Sequence, residues 1–92
     1  MSRVRRRVHF SGRVQGVGFR FTCHGLARHY QVAGHVRNLP DGRVELVVEA
    51  ESSELDRFLA AIHAEMGTYI RDVEVEDELP SREPVNGFSI RH

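Results

Sequence analysis

The spacing of apolar residues changes period along this chain, and each change marks a structural element. Val4, Val8 and Phe10 alternate with Arg5, Arg7, His9 and Ser11, a two-residue period that predicts a strand with one wetted face ending near Gly12. Residues 12–18 contain Gly12, Gly16 and Gly18 and predict a loop. Phe19, Cys23, Leu26, Ala27 and Tyr30 then recur at helical spacing, which puts all five on one side of a first helix. A second strand is expected over His35 to Leu39, just past Gly34. The segment Asn38-Leu39-Pro40-Asp41-Gly42 reads as a hairpin turn, because Pro fixes φ and Gly accepts a positive φ. Val44, Leu46 and Val48 alternate with Arg43, Glu45, Val47 and Glu49, the pattern of a half-buried third strand. Ser53 with Asp56 predicts a capping box for a second helix, whose stripe Leu55, Phe58, Leu59, Ile62 and Met66 stops at Gly67. Two more strands are expected, around Tyr69 to Glu76 and Gly87 to Arg91.

This order, β-α-β-β-α-β with an extra edge strand, predicts an α+β protein of ferredoxin-like topology. Two helices of similar length would pack on one face of a mainly antiparallel sheet of four to five strands. With 92 residues and 40% apolar composition, the expectation is a single globular domain over residues 1–92 with a modest core, leaving a shallow surface site for any chemistry. The longest apolar stretch, Phe58 to Ile62, is too short for a secretory or membrane segment, so a cytoplasmic location without a membrane partner is expected. Cys23 is the lone cysteine, which excludes an intrachain disulfide, and its place on the core stripe predicts a buried, inert thiol. His24 and His29 are separated by about 140° around a helix and are not expected to share a metal.

Charge changes the picture further. The formal net charge is zero, yet nine Arg face only Asp41 and Glu45 in residues 1–46, whereas residues 47–92 hold four Arg against eleven acids. An anion site is therefore expected in the first half, with Arg13 and Arg37 able to draw anions in. Arg3, Arg5, Arg6 and Arg7 leave two readings open, a nucleic-acid arm or the solvated side of a strand. Asp72, Glu74, Glu76, Asp77 and Glu78 are expected on the exposed side and end of the fourth strand.

The candidate chemistry lies in Gly12-Arg13-Val14-Gln15-Gly16-Val17-Gly18-Phe19-Arg20, between a strand end and a helix start. Successive amides in such a loop can converge on one anion, the helix start adds its unpaired amides and positive dipole end, and Arg20 can add a two-pronged fork. A plain tight turn remains the alternative. The loop is neither a Walker loop, since no Gly-Lys-Ser/Thr follows, nor a dinucleotide fingerprint, since Phe21 stands where the third Gly belongs.

Together with Gly34-His35-Val36-Arg37-Asn38-Leu39-Pro40-Asp41-Gly42, this loop closely resembles the paired signature motifs of the acylphosphatase family. The resemblance covers essentially the whole chain, including Phe88-Ser89-Ile90 near its end. It implies a phosphate-binding role for Arg20, a water-positioning role for Asn38 and a cradle of backbone amides from Val14, Gln15, Gly16, Val17, Gly18 and Phe19. It further implies hydrolysis of a small acyl phosphate to carboxylate and inorganic phosphate, with no metal, no cofactor and no nucleic acid, by a monomer. Two positions depart from the family pattern: His35, where a Trp is frequent, and Gly18, where bulkier residues are common and a looser loop is expected.

The residue types agree with that chemistry. The two motifs hold no Cys, no Ser/His pair, no Glu poised as a base and no cluster with metal-ligand spacing, so they supply neither a covalent nucleophile nor a metal-bound hydroxide. An acyl phosphate carries a good leaving group and needs only charge gathering and an aimed water. The competing class is a non-catalytic anion- or nucleic-acid-binding module of the same fold. RNA readers of this topology place aromatics on the third element, whereas Arg43 to Glu49 has none and presents Glu45 and Glu49. Acylphosphatase-like domains also occur fused to larger carbamoyl-transfer maturation proteins; the length of this chain points to the free-standing kind.

Overall fold

In the computed structural model, which describes residues 3–83 and 85–92, the first strand β1 (Arg3–Gly12) leads into helix α1 (Phe19–Ala27). Strands β2 (Ala33–Asn38) and β3 (Val44–Glu51) follow, then helix α2 (Ser52–Met66), a 3₁₀ turn at Gly67–Tyr69, β4 (Ile70–Glu78) and β5 (Phe88–Arg91). The sheet order is β4-β1-β3-β2-β5. β3 runs antiparallel to both β1 and β2, β4 antiparallel to β1, and β5 parallel to β2. This is the expected ferredoxin-like α+β topology, with β5 as the added edge strand and one parallel pairing in a mixed sheet.

The split β-α-β unit explains where a site can form. β1 and β2 point the same way with β3 between them, so both strands end at the same edge of the sheet. Phe10 and Asn38 both register against Val44, which puts them on one rung, about 10 Å apart across β3. Because β5 is parallel to β2, its end at Arg91 arrives at that same edge. The β1–α1 loop, Asn38 and the end of β5 are thus gathered together by topology.

The core lies between the helices and one face of the sheet. α1 contributes Phe19, Cys23 and Ala27, and α2 contributes Leu55, Phe58, Ile62 and Met66. Phe10 and Phe19 meet with ring centroids 4.9 Å apart, and Phe58 sits 5.8 Å from both Tyr30 and Phe88, which ties α2 to the turn after α1 and to β5. β2 approaches β3 closely at Gly34, where a Cβ would stand 1.9 Å from the Val47 carbonyl oxygen, so only glycine fits.

Several expectations are corrected. The two helices are not of similar length, with 9 residues in α1 and 15 in α2. β2 begins at Ala33, before Gly34, and ends at Asn38. α1 ends at Ala27, since the amides of Arg28, His29 and Tyr30 bond to carbonyls three residues back and tighten the chain into a turn. Tyr30 still reaches the core, but from that turn. The Ser53/Asp56 capping box does not form: α2 begins at Ser52 behind Glu51 with no side-chain cap, and Asp56 Oδ1 accepts from Arg6 Nη1 at 2.7 Å. β3 is buried on both faces from Val44 to Ala50, because Glu45 and Glu49 lie under a layer of arginines. Tyr69 belongs to the 3₁₀ turn, and β4 starts one residue later. Among the described residues no helix is long and apolar enough to cross a membrane.

Candidate active site

The β1–α1 loop turns into α1 through Gly18, whose backbone is left-handed (φ 79°, ψ 22°) and which occupies the N-cap without any side-chain cap. The first helical hydrogen bond runs from the Thr22 amide to the Gly18 carbonyl at 2.9 Å. Among the described residues, none of the amides from Val14 to Phe19 donates to another protein group. A run of free N–H groups at a helix start is an unfilled anion cradle, since each needs an acceptor from outside the chain. The loop is fixed from beneath: Val14 and Phe19 are buried in the core, while Gly16 and Gly18 are exposed.

A cavity of about 370 Å³ opens over this loop, lined by Val14, Gly16, Gly18, Phe19, Arg20, Phe21, Asn38, Ile90 and His92. Arg20 and Asn38 therefore face one space, together with four of the six loop residues singled out from the sequence; Gln15 and Val17 do not line it. Arg20 Nη1 donates to the Arg91 carbonyl at 3.2 Å and lies 3.3 Å from His92 Nδ1, so β5 orients the guanidinium. Its Nε and Nη2 have no protein acceptor among the described residues, which leaves a fork for a ligand. Arg20 joins none of the ion pairs found among those residues. The Asn38 side chain, half-buried at the end of β2, is likewise free of protein hydrogen bonds there.

Gln15 has a role that the sequence did not disclose. Its Nε2 donates to the carbonyls of Leu39 at 2.8 Å and Arg43 at 3.0 Å, pinning the loop to the β2–β3 turn and so to the strand end that carries Asn38. A two-donor amide between glycines was the only signal available. The contribution of Arg91 and His92 was also hidden, because the pairing that brings β5 to this edge is a tertiary matter.

Outside the cavity the arginines of β1 and Arg37 are engaged. Glu45 bonds Arg7 at 3.0 Å, Arg37 at 2.8 Å and His9 at 2.9 Å. Burial opposes ionisation of Glu45, but these three donors outweigh it and hold the carboxyl down at about 2. Glu49 is also held below the usual carboxylate range: burial raises it, and the Ser81 amide, Arg3, the Ser81 hydroxyl and Arg5 together overcome that. Arg6 pairs with Asp56 and Asp77, and Arg5 and Arg7 with Glu78. Arg3, Arg5, Arg6 and Arg7 thus all enter ion pairs, with β3, β4 or α2. Burial lowers His35, with Arg91 adding to the effect, so that this ring is neutral at pH 7. Burial pushes the Cys23 thiol up to about 12, as expected of an inert core cysteine. Among the described residues no three His, Cys, Asp or Glu side chains converge on a metal-sized point.

The family model described as Acylphosphatase matches residues 6–90. The chain belongs to the acylphosphatase family. Its relatives include the acylphosphatase of Rubrobacter xylanophilus, 44% identical over 92% of this chain and 77% of the relative. The acylphosphatase of Haloarcula marismortui is 42% identical over 99% of both chains. The crystal structure of acylphosphatase from Bacillus subtilis matches with a TM-score of 0.84 at 33% identity, covering 97% of this chain and 99% of the other. Both acylphosphatase motifs of this chain, residues 12–20 and 34–42, fall inside the matched span.

Proposed function

We propose that this chain hydrolyses small acyl phosphates to a carboxylate and inorganic phosphate, with Arg20 and Asn38 as catalytic residues and the amides of Val14 to Phe19 as the phosphate cradle. The single observation that carries the reading is the run of unpartnered amides leading into Arg20, in a cavity that Asn38 also lines. The phosphoryl oxygens of the substrate accept from those amides and from the free Nε and Nη2 of Arg20. The Asn38 carboxamide holds a water opposite the acyl oxygen. As the water oxygen bonds to phosphorus, the bond to the acyl oxygen breaks and its electron pair leaves on the carboxylate. The phosphate itself accepts the water's proton, so no protein base and no metal-bound hydroxide is needed.

The site is built from the β1–α1 loop, the first turn of α1, the end of β2 and the end of β5, so a monomer of one domain suffices. A reduced, buried Cys23 suits the cytoplasm. The engaged N-terminal arginines favour a small-molecule anion over a nucleic-acid backbone.

Kinetics of Asn38→Ala test the assignment. With the cradle and Arg20 intact, the variant keeps its fold and its competitive inhibition by phosphate but loses about 100-fold in kcat, ~3 kcal/mol. Wild-type turnover of acetyl or benzoyl phosphate by Asn38→Ala would remove Asn38 from the mechanism.

A further inference from the structure

Phe21 is 78% exposed, although it follows the buried Phe19 by two residues and borders the cavity. On α1 it sits about 200° around the helix from Phe19, off the stripe that packs the core, so the fold does not require an aromatic there. Among the described residues the other large exposed apolar side chains, Val73, Val75 and Leu79, all lie on or beside the β4 edge and do not line the cavity. The cavity also extends past the loop and Arg20. The remaining wall is largely apolar and includes Ile90 and Phe21.

We infer that Phe21 is a specificity-determining residue, its ring forming a platform for the acyl group, so that flat apolar acyl phosphates of the benzoyl kind bind better than acetyl phosphate. The inference rests on the proposed hydrolysis of acyl phosphates. With the phosphoryl end held beside Arg20, the adjacent residue on the first turn of α1 is placed to meet the departing acid. An aromatic acyl group would stack on the Phe21 ring and shield it from water, whereas an acetyl group covers little of it. The contact is the same in the ground state and the transition state, so it acts on KM rather than on kcat.

Steady-state kinetics of wild type, Phe21→Ala and Phe21→Tyr on benzoyl and acetyl phosphate read this directly. In Phe21→Ala the KM for benzoyl phosphate rises about tenfold and that for acetyl phosphate less than about threefold, while Phe21→Tyr stays near wild type. The exposure of Phe21 makes Phe21→Ala a folded protein, which urea melting verifies. An equal change on both substrates, or none on either, overturns the inference while leaving the hydrolytic reading in place. Absence of wild-type turnover on both substrates overturns the hydrolytic reading and the platform with it.

Discussion

Arginines at two places in this molecule meet opposite fates. Over the open face of the sheet, Arg3, Arg5, Arg7 and Arg37 lie against the buried carboxylates of Glu45 and Glu49, with bonds of 2.8 to 3.3 Å. At the edge where β1, β2 and β5 end, Arg20 is oriented by a carbonyl and an imidazole and meets no carboxylate among the described residues. Positive charge opposite a carboxylate is neutralised and becomes part of the structure. Positive charge held by a neutral acceptor, beside unpaired amides, keeps its field for a ligand. Neighbours, more than residue type, divide scaffold from site.

The largest effect expected on the site side is from Arg20→Ala. Losing the fork beside the cradle lowers kcat/KM by about a thousandfold, ~4 kcal/mol, and abolishes competitive inhibition by phosphate, unlike Asn38→Ala. Its stability stays within about 0.5 kcal/mol of wild type, because the side chain gives up only contacts to the partly exposed end of β5. Paired kinetic and urea-denaturation measurements check the contrast. A large loss of stability would mean that Arg20 is scaffold after all.

Glu45→Ala is the mirror experiment. It strands Arg7, Arg37 and His9 over a buried gap and lowers stability by about 3 kcal/mol, with activity per folded molecule largely kept. Acid reads the same cluster without mutation. The folded-state pKa of Glu45, about 2, lies below its ordinary 4.5, so its contribution, at most about 3 kcal/mol, is complete above pH 4.5 and is lost as pH falls towards 2. Unfolding in that window, followed by circular dichroism, reports the Glu45 part of any acid inactivation. Glu45→Ala should flatten that pH dependence.

The fold was legible where local pattern and tertiary need coincide. The period-two strand ending near Gly12, the stripe Phe19, Cys23 and Ala27, and the turn at Pro40 to Gly42 all appear where the spacing placed them. β3 was misjudged because period two marks two chemically different faces and says nothing of what covers the polar one; only the sheet order brings arginines of β1 and β2 over Glu45 and Glu49. Much of the positive surplus of the first half is taken up in these ion pairs, Arg37 among them, which composition alone does not show. The residues proposed for the site were legible as motif chemistry, since free amides before a helix and an Arg on its first turn are local features. The clamp by Gln15 and the restraint on Arg20 by Arg91 and His92 were not, because each joins segments distant in sequence.

Gly18 offers the finest test, because it lies where backbone geometry and site meet. The sequence suggested a looser loop there, and the structure separates space from strain: nothing stands within 4 Å of an added Cβ, yet φ is +79°. Glycine reaches this conformation freely in the native state, so the looseness it brings belongs to the unfolded chain. Alanine would reduce that unfolded freedom, but it would also put a Cβ against the backbone in a left-handed residue, and the second effect is the larger. Gly18→Ala is therefore expected to lose about 1 kcal/mol, a fall in Tm of roughly 4 to 8 °C. Gly18→Asn should lose less, since Asn tolerates this conformation. Because Gln15 and the buried Val14 and Phe19 hold the cradle independently of residue 18, kcat should fall by less than about tenfold in either variant, well short of Asn38→Ala. A Gly18→Ala protein as stable as wild type would mean that the helix start does not require the left-handed turn.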